Sequence, residues 1–357
     1  MKIGFYAYDV AAGNAMEILA QAATARGHEA VLFPKQERGV AVKRSIEMIH
    51  CDLLVTGLSS FQTKEELDLV HIFHSLATAR PWVVFEDVPN ACRRPLAESH
   101  APAASAVILA HPSGEVAAKQ FGYKETVYLG PPPQWRLDYE TLMAAKAENC
   151  RVKMHKIRGS SSAVPLENDD VIIGLIGGKD PRENNRVLEI VVKAISDMGL
   201  TLAFGKHPGE KAEKEEDETV FEKLLQERRR TLSDVWTATT DGMKGAQIAG
   251  AADIMIYASG TNISIAGAYA RVPAIYLDDE GVRSRMRAQS GSPEWFVAEL
   301  EGCLVAHDIY ELRSRIGLLS TVEGQQYCRL MQERSFPLPE DWHTENKIIQ
   351  FLEQNIT

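Results

Sequence analysis

Three short stretches in the second half of the chain place phosphate-binding chemistry where an apolar run gives way to small residues. The first is Gly177-Gly178-Lys179-Asp180-Pro181-Arg182, with Arg186 one helical turn further on. The second is Lys206-His207-Pro208-Gly209, after the apolar Leu202-Ala203-Phe204. The third is Ser259-Gly260-Thr261-Asn262, after Ile254 to Ala258. The first and third hand a buried strand over to the start of a helix, whose unpaired N–H groups and positive dipole end suit an anion. In doubly wound folds ligands sit at the carboxyl ends of the strands. Lys179, Arg182, Arg186, Lys206, His207 and Ser259 could therefore converge on one diphosphate. Plainer readings stay open beside this one, because Ser and Thr cap helices whatever their function and a basic residue at a helix start is often merely solvated.

The first half offers carboxylates at strand ends. Asp9 closes the run Lys2 to Ala7, and Glu86-Asp87 closes Trp82 to Phe85. A transferase that takes a proton from an acceptor hydroxyl needs one such group within hydrogen-bond reach of it. Asp87 is the first candidate for that base and Asp9 the second, with Glu86 and Asn14 placed to hold an acceptor. The alternatives are a helix or loop cap at Asp9 and an Asx turn at Glu86-Asp87.

Other signals exclude more than they suggest. Ile173 stands where a Walker loop needs its first Gly, and Asp180 where it needs Ser or Thr. Asp278-Asp279 lacks the spacing that would hold a divalent ion on a diphosphate, which fits a site that works with helix ends and basic side chains instead. Arg283, Arg285 and Arg287 follow it and either cover a cleft or solvate a loop. His71 and His74 have no third metal ligand suggested nearby. The five cysteines, at 51, 92, 150, 303 and 328, have no CxxC pair and read as reduced structural thiols.

Positioning these groups takes two α/β domains. The 357 residues, 45% of them hydrophobic, exceed the usual size of one domain. Strand and helix patterns alternate from Lys2 to Leu129, and Gly130-Pro131-Pro132-Pro133 interrupts them. Residues 1–133 therefore form a first Rossmann-like, acceptor-side domain. Residues 134–168 read as a linker or insert, 169–335 as a second Rossmann-like, donor-side domain, and 336–357 as a C-terminal helix with the option of packing back on the first. Lys211 to Arg230 is a charge-dense helix with a solvated face. A net charge of −10 argues against gripping nucleic acid, and neither a secretory segment nor a membrane-spanning run is present, which predicts a cytoplasmic protein.

The order strand, Gly-Gly, basic helix, then Lys206-His207-Pro208-Gly209, then Ala252-Asp253 through Tyr257-Ala258-Ser259-Gly260-Thr261-Asn262 and Val272-Pro273-Ala274-Ile275-Tyr276 resembles the donor half of GT-B nucleotide-sugar enzymes. Within that superfamily the Lys206-His207-Pro208 and Ala258-Ser259-Gly260 pieces are similar to teichoic-acid glycerophosphotransferases and UDP-sugar 2-epimerases. Leu109 to Pro133 resembles the run before the GT-B interdomain cleft. A further likeness is to the DNA β-glucosyltransferase of T-even phages, through Phe85-Glu86-Asp87-Val88-Pro89 and the Gly177-Gly178 loop with its arginines.

The resemblance implies two doubly wound, parallel-sheet α/β domains facing a cleft. It implies a metal-independent transfer of a sugar from a UDP- or CDP-linked donor to a hydroxyl acceptor, with no resident cofactor. Gly177, Gly178, Lys179, Arg182, Arg186, Lys206, His207, Ser259, Gly260, Thr261 and Asn262 would hold the donor. Duplex DNA is an acceptor disfavoured by the charge. Ala266 stands where many members carry a ribose-binding Glu, leaving Asn262 or Ser264 for that task. The alternatives are an epimerase or hydrolase of the same fold, or a silent nucleotide-binding subunit.

Overall fold

The computed structural model describes residues 1–58, 63–76, 80–93, 101–158, 161–178, 180–205, 223, 227, 232, 235–240, 242–290 and 294–356. The chain divides into two compact units. One comprises Met1–Arg136, Arg287–Pro293 and Pro339–Thr357, and the other Leu137–Met286 and Glu294–Leu338. Most of the expected charge-dense helix Lys211 to Arg230, and Lys179, Lys206 and His207 with it, lies outside the described residues.

The first unit is built on six parallel strands: β1 (Lys2–Tyr6), β2 (Glu29–Leu32), β3 (Leu53–Thr56), β4 (Trp82–Phe85), β5 (Ala106–Ile108) and β6 (Thr126–Val127), in the order β2-β1-β3-β4-β5-β6. The central strands are apolar at nearly every position because both faces are covered. Their two-residue period deals side chains alternately to two cores. Ile3, Phe5, Leu53, Val55, Val83 and Phe85 enter one, with the helices Val10–Ala25 and Thr344–Asn355. Tyr6, Leu54, Trp82 and Val84 enter the other. From β1 the chain winds first to β2 and then back across to β3, so its direction reverses between β1 and β3.

The second unit carries an eight-stranded sheet ordered β14-β13-β12-β9-β10-β11-β7-β8. Its parallel part consists of β9 (Ile172–Ile176), β10 (Thr201–Gly205), β11 (Trp236–Ala238), β12 (Ile254–Tyr257), β13 (Ala274–Leu277) and β14 (Leu304–Ala306). From β9 the chain winds outward through β10 and β11, then crosses to β12 on the other side. The reversal therefore falls between β9 and β12, and this is where a doubly wound sheet opens a crevice at its carboxyl edge.

Residues 134–168, expected as a linker or insert, hold regular structure. The helix Pro133–Ala147 begins at the last of the three prolines, where a missing N–H is harmless. It is followed by β7 (His155–Ile157) and β8 (Val164–Pro165), an antiparallel pair added to β11 through Thr237↔Ile157 and Ala238↔Lys156. Lys156 locks this edge by a two-point pair with Asp170 at 2.8 Å.

In the helix Pro133–Ala147, burial pushes the Asp138 carboxyl up to about 6, against the pull of Lys244. The native state therefore binds this proton more tightly than the unfolded chain does. The associated stability is full below the ordinary carboxylate value and is lost as pH rises through about 6. Asp138→Asn is expected to raise the melting temperature at pH 8 by about 2–4 °C, the effect of about 1 kcal/mol in a unit of this size. It is expected to give no gain at pH 4. Melting curves of both proteins at the two pH values check this.

Candidate nucleotide site at the sheet reversal

Strand β9 ends at Ile176 and delivers Gly177 and Gly178 to the reversal point. The Gly177 amide donates to Gly205 O at 2.9 Å, continuing the ladder to β10. Gly178 is held by a side chain instead. Its N–H donates to Asn184 Oδ1 at 2.6 Å, and Asn184 Nδ2 donates back to Gly178 O at 2.8 Å. A side chain on Gly177 would place its Cβ 2.9 Å from Asn184 Nδ2, so glycine is what lets this clamp close. Asn184 is buried in the first turns of the helix Pro181–Ile195, which Asp180 caps by accepting from Arg182 N at 2.9 Å.

Strand β12 ends at Tyr257 and supplies the opposite wall. A Cβ on Gly178 would lie 3.8 Å from Ser259 Cβ, which brings the two expected loops side by side. Thr261 caps the helix Asn262–Tyr269, its Oγ1 accepting from Ile263 N at 3.3 Å. Ser264 and Trp295 brace the turn from behind. Ser264 Oγ donates to Thr261 O at 2.7 Å and accepts from Trp295 Nε1 at 2.8 Å. The indole lies so close that a Cβ on Gly260 would meet its Cζ3 at 2.6 Å.

Between these walls lies a pocket lined by Gly177, Gly178, Asn184, Ala258, Ser259 and Arg285. Of Arg283, Arg285 and Arg287, which the sequence offered together for a cleft or a solvated loop, Arg285 is the one that lines the pocket. From the helix Glu280–Ser290 it donates through Nη2 to Ala258 O, and its Nη1 lies 3.4 Å from Glu183 Oε1. It is the one cation among the described lining residues.

Arg186 is not available in the way the sequence suggested. Its guanidinium forms paired contacts with Glu183 and with Asp279, including Nε to Glu183 Oε2 at 2.9 Å and Nη2 to Asp279 Oδ1 at 2.9 Å. Glu183 first and Asp279 second hold its pKa above the ordinary arginine value. Burial works against ionisation of Asp279, but Arg186 and the amides of Val282 and Gly281 outweigh it and keep the carboxyl below its usual range. Arg182 is exposed at the helix start, and Asn262 is half-buried at the start of its own helix. Ala266 is fully buried, so no side chain from that position reaches a ligand.

In the first unit, Asp9 and Asp87 follow the carboxyl ends of β1 and β4, two strands that β3 separates in the sheet. The Asp87 backbone carbonyl is fixed by Gln134 Nε2 at 3.2 Å and Trp135 Nε1 at 3.1 Å. Glu86, expected to hold an acceptor, is instead 0% exposed, and its carboxylate accepts from the amides of Cys92 at 2.9 Å and Ala110 at 3.3 Å. These two bonds tie together the loops after β4 and β5. Asn14 accepts from Lys35 Nζ at 2.7 Å, and the same ammonium pairs with Glu17 at 2.7 Å. Among the described residues no three His, Cys, Asp or Glu side chains group to hold a metal ion, and no helix is long and apolar enough to cross a membrane.

No family model matches the chain, and no curated protein matches it in sequence. Its fold, by contrast, has close parallels. Sucrose-phosphate synthase from Thermosynechococcus elongatus superposes with a TM-score of 0.58 at 14% identity, covering 99% of this chain and 98% of that one. MurG from Acinetobacter baumannii gives 0.56 at 12% identity over 98% and 99% of the two chains. A glycosyltransferase from Rickettsia africae gives 0.54 at 10% identity over 99% and 98%. These likenesses establish architecture: the chain has the GT-B fold, with two Rossmann-like α/β units.

Proposed function

We propose that this protein is a metal-independent glycosyltransferase that moves a sugar from a nucleoside-diphosphate donor, UDP- or CDP-linked, to a hydroxyl acceptor. The observation that carries this reading is the pocket at the β9/β12 reversal, with Gly178 and Ser259 on its walls and Arg285 as its cation. One of the structural parallels, from Rickettsia africae, is a glycosyltransferase, which supports the same class.

In this reading the second unit binds the donor diphosphate. Arg285 contributes charge, the turn Ser259-Gly260-Thr261 offers the start of its helix, and Arg182, Lys179, Lys206 and His207 add basic groups. Asn262 meets the ribose in place of the missing carboxylate at Ala266, since the buried Ser264 hydroxyl is spent on Thr261 O and Trp295 Nε1. In the first unit Asp87 takes the acceptor proton, with Asp9 as second candidate and Asn14 on the acceptor. As the acceptor oxygen bonds to the anomeric carbon, the bond from that carbon to the phosphate oxygen breaks. The electron pair leaves with the diphosphate, where the cations stabilise it.

A thermal-shift screen against UDP, CDP, GDP, ADP and their common sugar conjugates tests the donor site, because a ligand bound only by the native state raises the melting temperature by mass action. One nucleotide class is expected to give a selective shift. Arg285→Ala should weaken that binding at least ~10-fold, the scale of one charge-assisted pair. Asn184→Ala should weaken it as well by releasing the Gly178 loop. Absence of a shift with every nucleotide would remove the donor site. For the base, Asp87→Asn is expected to lower kcat by about 10²–10⁴-fold with donor affinity retained. Turnover at the wild-type rate in that variant would take Asp87 out of the role. Product formed from donor and water alone would point to a hydrolase or epimerase.

A further inference from the structure

Three consecutive residues at the start of the helix Pro133–Ala147 tie two separate parts of the first unit together. Gln134 and Trp135 both donate to the Asp87 backbone carbonyl, at 3.2 and 3.1 Å, and both side chains are buried. The next residue, Arg136, reaches the C-terminal helix instead, its Nη1 donating to Glu345 Oε1 at 3.1 Å in the first turn of Thr344–Asn355. Helical geometry fixes residues 134–136 relative to one another, so a hold on Arg136 is felt by the two groups that pin Asp87. The same helix start packs on the loop before the three prolines. A Cβ on Gly130, whose φ is +127°, would lie 2.9 Å from Thr344 Oγ1.

The hold on Arg136 is an ion pair largely shielded from water. The Glu345 side chain is 10% exposed and that of Arg136 16%. Glu345 Oε2 is buried and meets no partner among the described residues, so the charge of this carboxylate is answered through Oε1. Taking the guanidinium away without a replacement would leave an enclosed charge unpaired.

His343 supplies the replacement. Its Nδ1 lies 3.0 Å from Glu345 Oε1 and 2.5 Å from Arg136 Nη1. A guanidinium only donates and a carboxylate only accepts, so one ring nitrogen cannot bond both. Without a proton, Nδ1 accepts from Arg136 and the ion pair stands. With a proton, it donates to Glu345 and sets a second cation against Arg136. The His343 side chain is 63% exposed, so it exchanges protons with solvent, and histidine is the side chain that changes charge near neutrality. Of the other charged groups near it, Asp341 Oδ1 accepts from the His343 amide at 2.8 Å. Lys347 and Glu140, both exposed, follow one turn along the helices that His343 caps and Arg136 helps to open.

We propose that Arg136 is a positioning residue for Asp87, and that His343, by displacing it from Glu345 when protonated, makes that positioning depend on pH. The latch is set with His343 neutral and released with it charged. Its consequence for turnover rests on the reading of Asp87 as the base, whereas the latch itself rests on the contacts above.

Trp135 reports the latch without any ligand, because its indole N–H is a donor on Asp87. The test is a titration from about pH 5 to about pH 8 of the intact chain, isotope-labelled at tryptophan nitrogen, following the indole N–H resonances by NMR. Trp135→Phe identifies which resonance belongs to Trp135. In wild type that resonance is expected to move in one titration step. In His343→Gln, whose amide oxygen still accepts from Arg136 and takes no proton, it is expected to stay at its high-pH position throughout. In His343→Arg, which is always charged, it is expected to stay near its low-pH position. The exposure of His343 means that both variants are expected to melt like wild type. Where Asp87 is the base, kcat is expected to fall on the acid side of this step while the donor KM holds, and His343→Gln is expected to lose that limb. A wild-type Trp135 resonance that does not move with pH overturns the proposal, and so does a step of unchanged size in His343→Gln. Wild-type turnover in Asp87→Asn would remove the base and the consequence for turnover but leave the NMR step in place, so failure of that reading is told apart from failure of the latch.

Discussion

The two-point clamp between the Asn184 amide and the Gly178 peptide is the contact on which the candidate site depends. It consumes the N–H that a phosphate-binding loop would otherwise offer and converts the Gly-Gly turn into a fixed wall. The clamp in turn requires that Asn184 be buried at the start of its helix, which Asp180 and Pro181 set by capping and by a fixed backbone angle. In the proposed reading, anion binding at this loop therefore falls to side chains and to the neighbouring helix start after Ser259. This differs from loops that cradle a phosphate in their own amides.

Charge in the site is balanced before any ligand arrives. Glu183 and Asp279 hold Arg186, Glu183 also touches Arg285, and Asp278 holds Arg283. Such pairs, partly shielded from water, keep several guanidiniums oriented at the end of a parallel sheet in a protein whose net charge is −10. The cost is that paired arginines have less to offer a phosphate. In the proposed reading Arg285, the one cation among the described lining residues, is the anchor.

Much of the architecture was legible because parallel strands buried on both faces read as short apolar runs. Trp82–Phe85 matches its expected limits, and the run from Ile254 holds the strand Ile254–Tyr257. The edge pair β7 and β8 was not legible, since His155–Ile157 and Val164–Pro165 are short, polar or exposed, and carry no alternation to detect. The helix Glu280–Ser290 was hidden for a similar reason. Among its described side chains the buried ones are Val282 and Met286, four apart in a charged segment. Within it Arg283, Arg285 and Arg287 look alike in sequence, and only the fold shows that 283 serves Asp278 while 285 lines the pocket. Glu86 and Asp87 posed the same problem, adjacent carboxylates of which one is spent on backbone amides.

The central claim is that the β9/β12 reversal binds a nucleoside diphosphate, and hydrogen–deuterium exchange on the intact chain with and without the diphosphate selected by screening tests it most directly. The account predicts that added protection concentrates in peptides covering 172–178 and 258–264, because ligand contact there slows opening of both loops together. Protection confined to other segments, with these two unchanged at saturating ligand, would contradict it.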